Sequence, residues 1–259
     1  MTNEFTLTGL RVLVTAGASG IGRVIADSFA AQGARLHICD ISNDALNQAA
    51  VDQPDWGITR CDVSDENQVQ HLFEQVADNL GGLDVLVNNA GIAGPTGGID
   101  ELSSAEWQNT VAINLNGQFY CARLAVPMLK QSDNASLICI SSVAGRLGYA
   151  YRTPYAATKW AIIGLVKSLA IELGPSGIRA NALLPGIVEG PRMEKVIADR
   201  AEAVGMSYTD MEQEYISKIS IRRMVSAQDV ANQILFLCSP LGANISGQAI
   251  SVCGNVEYL

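Results

Sequence analysis

Residues 12–22 read VLVTAGASGIG: a β-branched apolar run that breaks into a glycine-rich turn and then into a helical pattern over 21–32. Such a turn lets backbone N–H groups and a helix N-terminus face a pyrophosphate with no Cβ in the way. The turn alone is weak evidence; a strand before it, a helix after it and an acid closing the next strand strengthen it. The next apolar run, ARLHICD (34–40), supplies that acid as Asp40. A carboxylate there accepts hydrogen bonds from ribose hydroxyls and repels a 2′-phosphate. Loop 15–22 carries no lysine or arginine, and Arg23 stands just beyond it. NAD is therefore expected rather than NADP, with a simple strand-end cap as the plainer role for Asp40.

Outward from this turn, short apolar runs alternate with longer helical stretches. The runs at 10–16, 34–40, 57–62, 83–91, 136–142, 178–186 and 247–254 predict strands, and 21–32, 43–50, 65–80, 103–131, 153–173 and 226–238 predict helices. The runs are nearly continuously apolar, as in strands covered on both faces. The expected fold is α/β, a doubly wound parallel seven-stranded sheet with right-handed crossovers and helices on both faces. With no linker in view, one domain is expected over 1–259. Helix starts are marked by Ser64 with Asn67 in third place, by Ser103 with Glu106, and by Thr153 as cap before Pro154. Residues 187–225 are long for a strand-to-helix connection and leave from a strand's carboxyl end, which predicts a helical substrate lid at about 189–225.

Composition narrows the class of partner. Of 259 residues, 48% are apolar and 17% charged, and the net charge of −9 disfavours a nucleic-acid backbone or an anionic membrane. Cys39, Cys61, Cys121, Cys139, Cys238 and Cys253 are scattered without a C-x-x-C pair, which fits buried thiols and no metal site. The start MTNEFTLTGL lacks the basic and apolar regions of a secretory signal, and no apolar run approaches the ~18–20 residues of a membrane span. A soluble, reducing, cytoplasmic setting is the expectation.

The stretch GYAYRTPYAATKWA (148–161) holds three tyrosines, Tyr149, Tyr151 and Tyr155. A helix starting near Thr153-Pro154 puts Lys159 one i,i+4 step after Tyr155, on the same face and about 6 Å along the axis. A neighbouring ammonium favours a phenolate, which suits a tyrosine to acid–base work on an alcohol or ketone. Neither Tyr149 nor Tyr151 has such a lysine, so loop packing is expected for both. Ser141 and Ser142 end the preceding strand and point to opposite faces.

Together these segments resemble the short-chain dehydrogenase/reductases, in their single-domain branch, from Leu10 to Gly254. The likeness rests on TAGASGIG (15–22), CDV (61–63), NNAG (88–91), Asn114 in INLNG, the serine pair 141–142, YAATK (155–159) and LLPG (183–186). The resemblance implies a catalytic set of Asn114, Ser142, Tyr155 and Lys159. Ser142, thirteen residues before Tyr155, would hydrogen-bond the substrate oxygen, leaving Ser141 to structure. Asn114 would interrupt its helix and hold a water that relays protons through Lys159. Ser19, Gly20, Ile21, Gly22, Asp40 and Ile41 would hold the cofactor's adenosine side, with Asp62 and Val63 flanking the adenine. Asn89, Ala90 and Gly91 would line its ribose and pyrophosphate, and Val188 would meet the nicotinamide carboxamide. Tyr155 and Lys159 would complete the cofactor site, Lys159 on the nicotinamide ribose.

Three positions depart from the family's pattern. Ala16 stands where a glycine is usual and would resist a positive φ. Gly190 replaces a threonine, and Cys253-Gly254-Asn255 replaces a closing DGG. The substrate walls expected are Ala144, Tyr149 and Arg152, Gly94 to Thr96, and 189–193. Arg152 and Arg192 would meet a small polar, anionic or polyhydroxylated substrate, with solvated surface arginines as the plainer alternative. The implied activity is NAD(H)-dependent hydride transfer at a secondary alcohol or ketone carbon. A 3-oxoacyl-carrier-protein reductase, which calls for NADPH and a basic docking patch, and a non-catalytic dinucleotide-binding protein are the alternatives. Family likeness also implies a homotetramer joined through the helices at 103–131 and 153–173.

Overall fold

All seven apolar runs become strands, and they lie in one parallel sheet. In the computed structural model, which describes residues 6–258 apart from the side chains at 199, 203 and 204, the strands are β1 (Arg11–Thr15), β2 (Arg35–Asp40), β3 (Gly57–Arg60), β4 (Val85–Asn88), β5 (Ser136–Ile140), β6 (Arg179–Pro185) and β7 (Ala249–Val252). Their order is β3-β2-β1-β4-β5-β6-β7. The chain runs outward from β1 in one direction, then restarts at β4 and runs in the other. The reversal between β1 and β4 leaves a crevice at their carboxyl ends, where such sheets bind ligands.

The apolar runs are continuous because both faces of each strand are covered. Val12, Val14, Val85, Val87, Ile138 and Ile140 pack with α1 (Gly20–Ala31), α2 (Asn43–Asp52) and α9 (Ala227–Cys238) on one side. Their neighbours Leu13, Leu86, Leu137 and Cys139 pack with α3 (Glu66–Leu80), α5 (Gly117–Leu129) and α6 (Thr153–Leu173) on the other. Each fully buried leucine, isoleucine or phenylalanine contributes roughly 1.5–3 kcal/mol relative to exposure, so the two layers hold the sheet between them. Among the described residues no helix is long and apolar enough to cross a membrane.

The helix starts show where local signals suffice. Ser103 and Glu106 form the expected capping box of α4 (Ser104–Val111). At α3 the cap is Asp65, not Ser64: Asp65 accepts from the backbone N–H of Asn67 and Gln68, while the Ser64 hydroxyl donates to Asp62 at 2.7 Å. Thr153 is the first residue of α6, with Pro154 second and Arg152 in the cap position. The helix expected over 103–131 is broken by a π-helical turn, Ala112–Asn116, between α4 and α5. Wide turns of this kind occur often at functional sites, and this one carries the fully buried Asn114.

The 187–225 segment folds into α7 (Pro191–Val204) and α8 (Tyr208–Ser217). It leaves and returns side by side: Glu189 N–H donates to Val225 O, and Val225 N–H to Ile187 O. Ile197, Ala201, Met211 and Tyr215 pack over Val143 and Ile187 as a small third core, so the segment lies on the residues that follow β5 and β6.

Candidate active site

At the end of β1 the turn is fixed from the outside. Thr15 Oγ1 accepts from the N–H groups of Asn89 and Ala90 at 2.9 and 3.0 Å, and Asn89 Nδ2 donates to Thr15 O and Ala16 O. These bonds, with Gly17 N–H donating to Cys39 O, hold Ala16 at φ +49. The alanine therefore takes the left-handed conformation it was expected to resist, at a cost of about 1–2 kcal/mol. Gly22 cannot carry a side chain, because a Cβ there would stand 2.0 Å from Ala16 O and 2.6 Å from Asn89 Nδ2. Helix α1 starts at Gly20, and its cap residue Ser19, exposed, makes no side-chain bond to the helix. The first N–H groups of α1 are thus offered outward beside the turn, with Ile21 half-buried next to them.

Asp40 ends β2, and Asp62 lies two residues beyond the end of the neighbouring strand β3. Asp40 is 8% exposed and accepts from Ala18 N–H and Ser42 N–H, so its carboxylate is built into the turn. Ile41 beside it is 57% exposed. Asp62 accepts from the Ser64 N–H and hydroxyl, and buried Val63 packs against Gly117. Arg23, the one cation near this turn in sequence, is committed elsewhere: it pairs with Asp27 and Asp52 and lies 5.3 Å over the Trp56 ring.

Gly91 joins this end of the crevice to a second group of residues. A Cβ on it would lie 3.2 Å from Asn114 Oδ1 and 3.5 Å from Lys159 Nζ. Asn114 is fully buried; its Oδ1 accepts from Ile92 N–H at 2.7 Å, and its Nδ2 donates to Ile92 O and to Thr158 Oγ1. The Thr158 hydroxyl donates in turn to Tyr155 O at 2.8 Å. Thr158 had no separate signal, since a threonine bonding back along its own helix is common.

Lys159 Nζ sits 5.5 Å from the Tyr155 ring centre and donates to Ile140 O at 2.9 Å. Burial pushes its ammonium down to about 7, the charge of Arg192 acts in the same direction, and Cys139 opposes. Ser141 and Ser142 do separate: the Ser141 hydroxyl, buried, donates to Lys159 O, and Ser142 Oγ accepts from Ala144 N–H. Arg192, exposed near the start of α7, is felt electrostatically at Lys159. Half-buried Val188 bridges to Val225 at the root of the 189–225 segment. Gly190 has φ +130 and ψ 176, open to glycine alone, so the usual threonine could not take this backbone. Cys253 packs directly on Gly186, where a Cβ would come within 2.6 Å of it. Arg152 donates to Ala93 O and Thr96 Oγ1, so both terminal nitrogens engage the loop after β4.

Residues 15–255 match the family model described as Enoyl-(Acyl carrier protein) reductase. An uncharacterized short-chain type dehydrogenase/reductase, y4mP of Sinorhizobium fredii, is 36% identical, over 96% of this chain and 98% of that protein. The chain belongs to the short-chain dehydrogenase/reductase family. Another relative in it, the 7alpha-hydroxysteroid dehydrogenase of Escherichia coli, is 31% identical over 97% of this chain and 96% of its own. The ligand-free structure of Thermoplasma acidophilum aldohexose dehydrogenase superposes with a TM-score of 0.87 at 29% identity, covering 96% of this chain and 94% of that one.

A short-chain dehydrogenase/reductase is an oxidoreductase whose sheet binds a nicotinamide dinucleotide. The residues present fit one: outward N–H groups at α1, no room for a Cβ at Gly22, and carboxylates at the ends of β2 and β3. Gly22 and Asn89 meet at the turn after β1, and Gly91, two residues after Asn89, lies beside Asn114 and Lys159. Arg192 lies on α7, in the segment that follows β6.

Proposed function

We propose that this short-chain dehydrogenase/reductase moves a hydride between NAD(H) and a secondary alcohol or ketone carbon of a small polar substrate. The observation that carries this is the placement of buried Lys159 under the Tyr155 ring, with Asn114 and Thr158 tied to the same turn. When bound, the nicotinamide supplies or takes the hydride. Tyr155 gives a proton to the substrate oxygen in reduction and removes it in oxidation. Ser142 hydrogen-bonds that oxygen and fixes its distance from Tyr155. Lys159 would hold the nicotinamide ribose and pass on to Tyr155 a proton relayed from a water held by Asn114. Ser19, Gly20, Ile21, Gly22, Asn89, Ala90, Gly91 and Val188 hold the rest of the cofactor, with Ile41, Asp62 and Val63 around its adenine.

The preference for NAD is supported by the Asp40 carboxylate at the end of β2, which would repel a 2′-phosphate, and by the commitment of Arg23 to Asp27 and Asp52. The same features and the net charge of −9 argue against an acyl-carrier-protein substrate, despite the family description. The likeness to an aldohexose dehydrogenase supports a polyhydroxylated substrate, and we place Arg192 on its side of the site. Exposed Trp107, Phe119, Trp160 and Ile171 on α4, α5 and α6 support self-association through those helices, as in a tetramer. Free, mostly buried cysteines support a reducing, cytoplasmic setting.

The test is a cofactor-reduction screen with NAD and NADP against D-glucose, cyclohexanol and 3-hydroxybutyrate, run beside Tyr155→Phe. Wild-type turnover with NAD is expected, and the variant should lose at least about 100-fold with NADH binding intact. Activity above a few per cent in Tyr155→Phe would remove the acid–base assignment.

A further inference from the structure

Tyr149 was expected to be a bystander beside the catalytic turn, and Arg152 a substrate ligand. The structure gives both a different company. The Arg152 guanidinium carbon lies 5.6 Å from the Tyr155 ring centre and 5.5 Å from that of Tyr149. Two residues before Tyr149, half-buried Leu147 packs in the same small core as Tyr215 of α8; burial pushes the Tyr149 phenol up, Tyr215 adds to this, and Arg152 and Arg200 oppose it. Tyr215, 4% exposed, is itself flanked by Arg200 of α7 at 5.8 Å and Lys218 at 5.1 Å. One ring–cation group, Tyr155, Arg152 and Tyr149, thus lies on the catalytic turn, and a second, Arg200, Tyr215 and Lys218, lies on the 189–225 segment.

Arg152 also reaches the other wall of the crevice. Its two terminal nitrogens donate to Thr96 Oγ1 at 3.1 Å and Ala93 O at 2.8 Å, and Gly97 N–H donates to Tyr151 O. Tyr151 stands at φ +62, a conformation costing a residue with a side chain about 1–2 kcal/mol, so tertiary bonds must hold this turn. The buried Nε–H of Arg152 has no acceptor. A planar fork that spends two nitrogens on a neighbouring loop and lies over two rings is arranged as a brace.

We propose that Arg152 is a positioning residue: it holds the 93–96 loop against the Tyr155 ring and, through Tyr149 and Tyr215, docks the lid onto the same turn. This rests on Tyr155 as the acid–base group. Arg152 touches none of the residues assigned to the adenosine side, so its loss acts on the reacting geometry and not on cofactor affinity. Misplacement by about 1 Å can cost ~100-fold in rate.

The full-length protein with NADH is followed by hydrogen–deuterium exchange and by turnover of cyclohexanol (neutral) and 3-hydroxybutyrate (anionic). Arg152→Ala should speed exchange at both 92–98 and 208–217 by about tenfold, the loss of roughly 1.4 kcal/mol of local protection. It should lower kcat for both alcohols by about tenfold or more, with smaller changes in KM and an NADH Kd within about twofold. Arg152→Lys keeps the charge without the two-pronged fork and should recover only part of kcat. Should Arg152→Ala not fold, Tyr215→Phe keeps the ring and drops the hydroxyl, and should speed exchange at 148–152. Wild-type exchange at 208–217 in Arg152→Ala, or at 148–152 in Tyr215→Phe, overturns the brace. So does a defect confined to KM for 3-hydroxybutyrate and fully restored by lysine, which marks a substrate ligand. Failure of wild-type turnover would fall on the acid–base reading, while the exchange results still decide the brace.

Discussion

The cofactor end of the crevice and its lid end are held by different kinds of interaction. Around the turn at 15–22 the bonds run mainly to backbone: Gly17 N–H to Cys39 O, Asn89 Nδ2 to Thr15 O and Ala16 O, Ala18 N–H to Asp40. Around Tyr155 and the lid they run between side chains, some near in sequence, as Arg152 with Tyr149 and Tyr155 and Tyr215 with Lys218, and one from helix to helix, Tyr215 with Arg200. A backbone cradle suits a ligand part common to many enzymes and leaves little room for added volume. A face made of side chains can be rebuilt residue by residue, which is where substrate choice can change without disturbing cofactor binding.

The largest expected break falls on the cradle. Gly22→Val puts a branched side chain where even a Cβ would stand 2.0 Å from Ala16 O. An NADH fluorescence titration should show no saturable binding, or the fold should be lost with it; a Kd within about tenfold of wild type would mean the turn yields more readily than close packing allows. Asp40→Ala comes next. It removes one of several side chains that tie the cradle, Thr15 and Asn89 remaining, so NADH should still bind, about tenfold or more weakly from lost charged hydrogen bonds. The NAD-to-NADP preference should fall with it, and an unchanged ratio of kcat/KM would remove Asp40 from the ribose. The smallest effect is a gain. Ala16→Gly relieves the left-handed alanine, and after the extra freedom of the unfolded chain should stabilise by about 1 kcal/mol or less. Calorimetry should then show Tm raised by about 2 °C with NADH affinity unchanged; a lower Tm would show that Ala16 is not strained. Arg152→Ala is the matching break on the lid side, and it should spare NADH binding where Gly22→Val destroys it.

How much of this was legible depended on the range of the interaction. Ser103 and Glu106 announce the capping box because both partners lie within one turn. Ser64 and Asp65 are adjacent cap-forming residues, and what decided between them was the side chain that each met: Asp62 took the Ser64 hydroxyl and left Asp65 to cap α3. Ala16 was read correctly as ill-suited to a positive φ, yet the bonds from Asn89, far along the chain, hold it there. Thr158 and Tyr215 carried no signal, since nothing near either residue names its partner.

From its order of residues alone, this chain determined the doubly wound sheet, the glycine turn with Asp40, and Tyr155 one helical turn before Lys159. These rest on periodicity, steric freedom and i,i+4 spacing, which are local. Only the tertiary structure decided that Lys159 is buried against Ile140 O, that the Asn114 side chain bonds the backbone of Ile92, and that Arg152 bonds the loop after β4. Burial and contact between distant segments arise only when the layers close on one another, and no local pattern encodes which side chains will then meet.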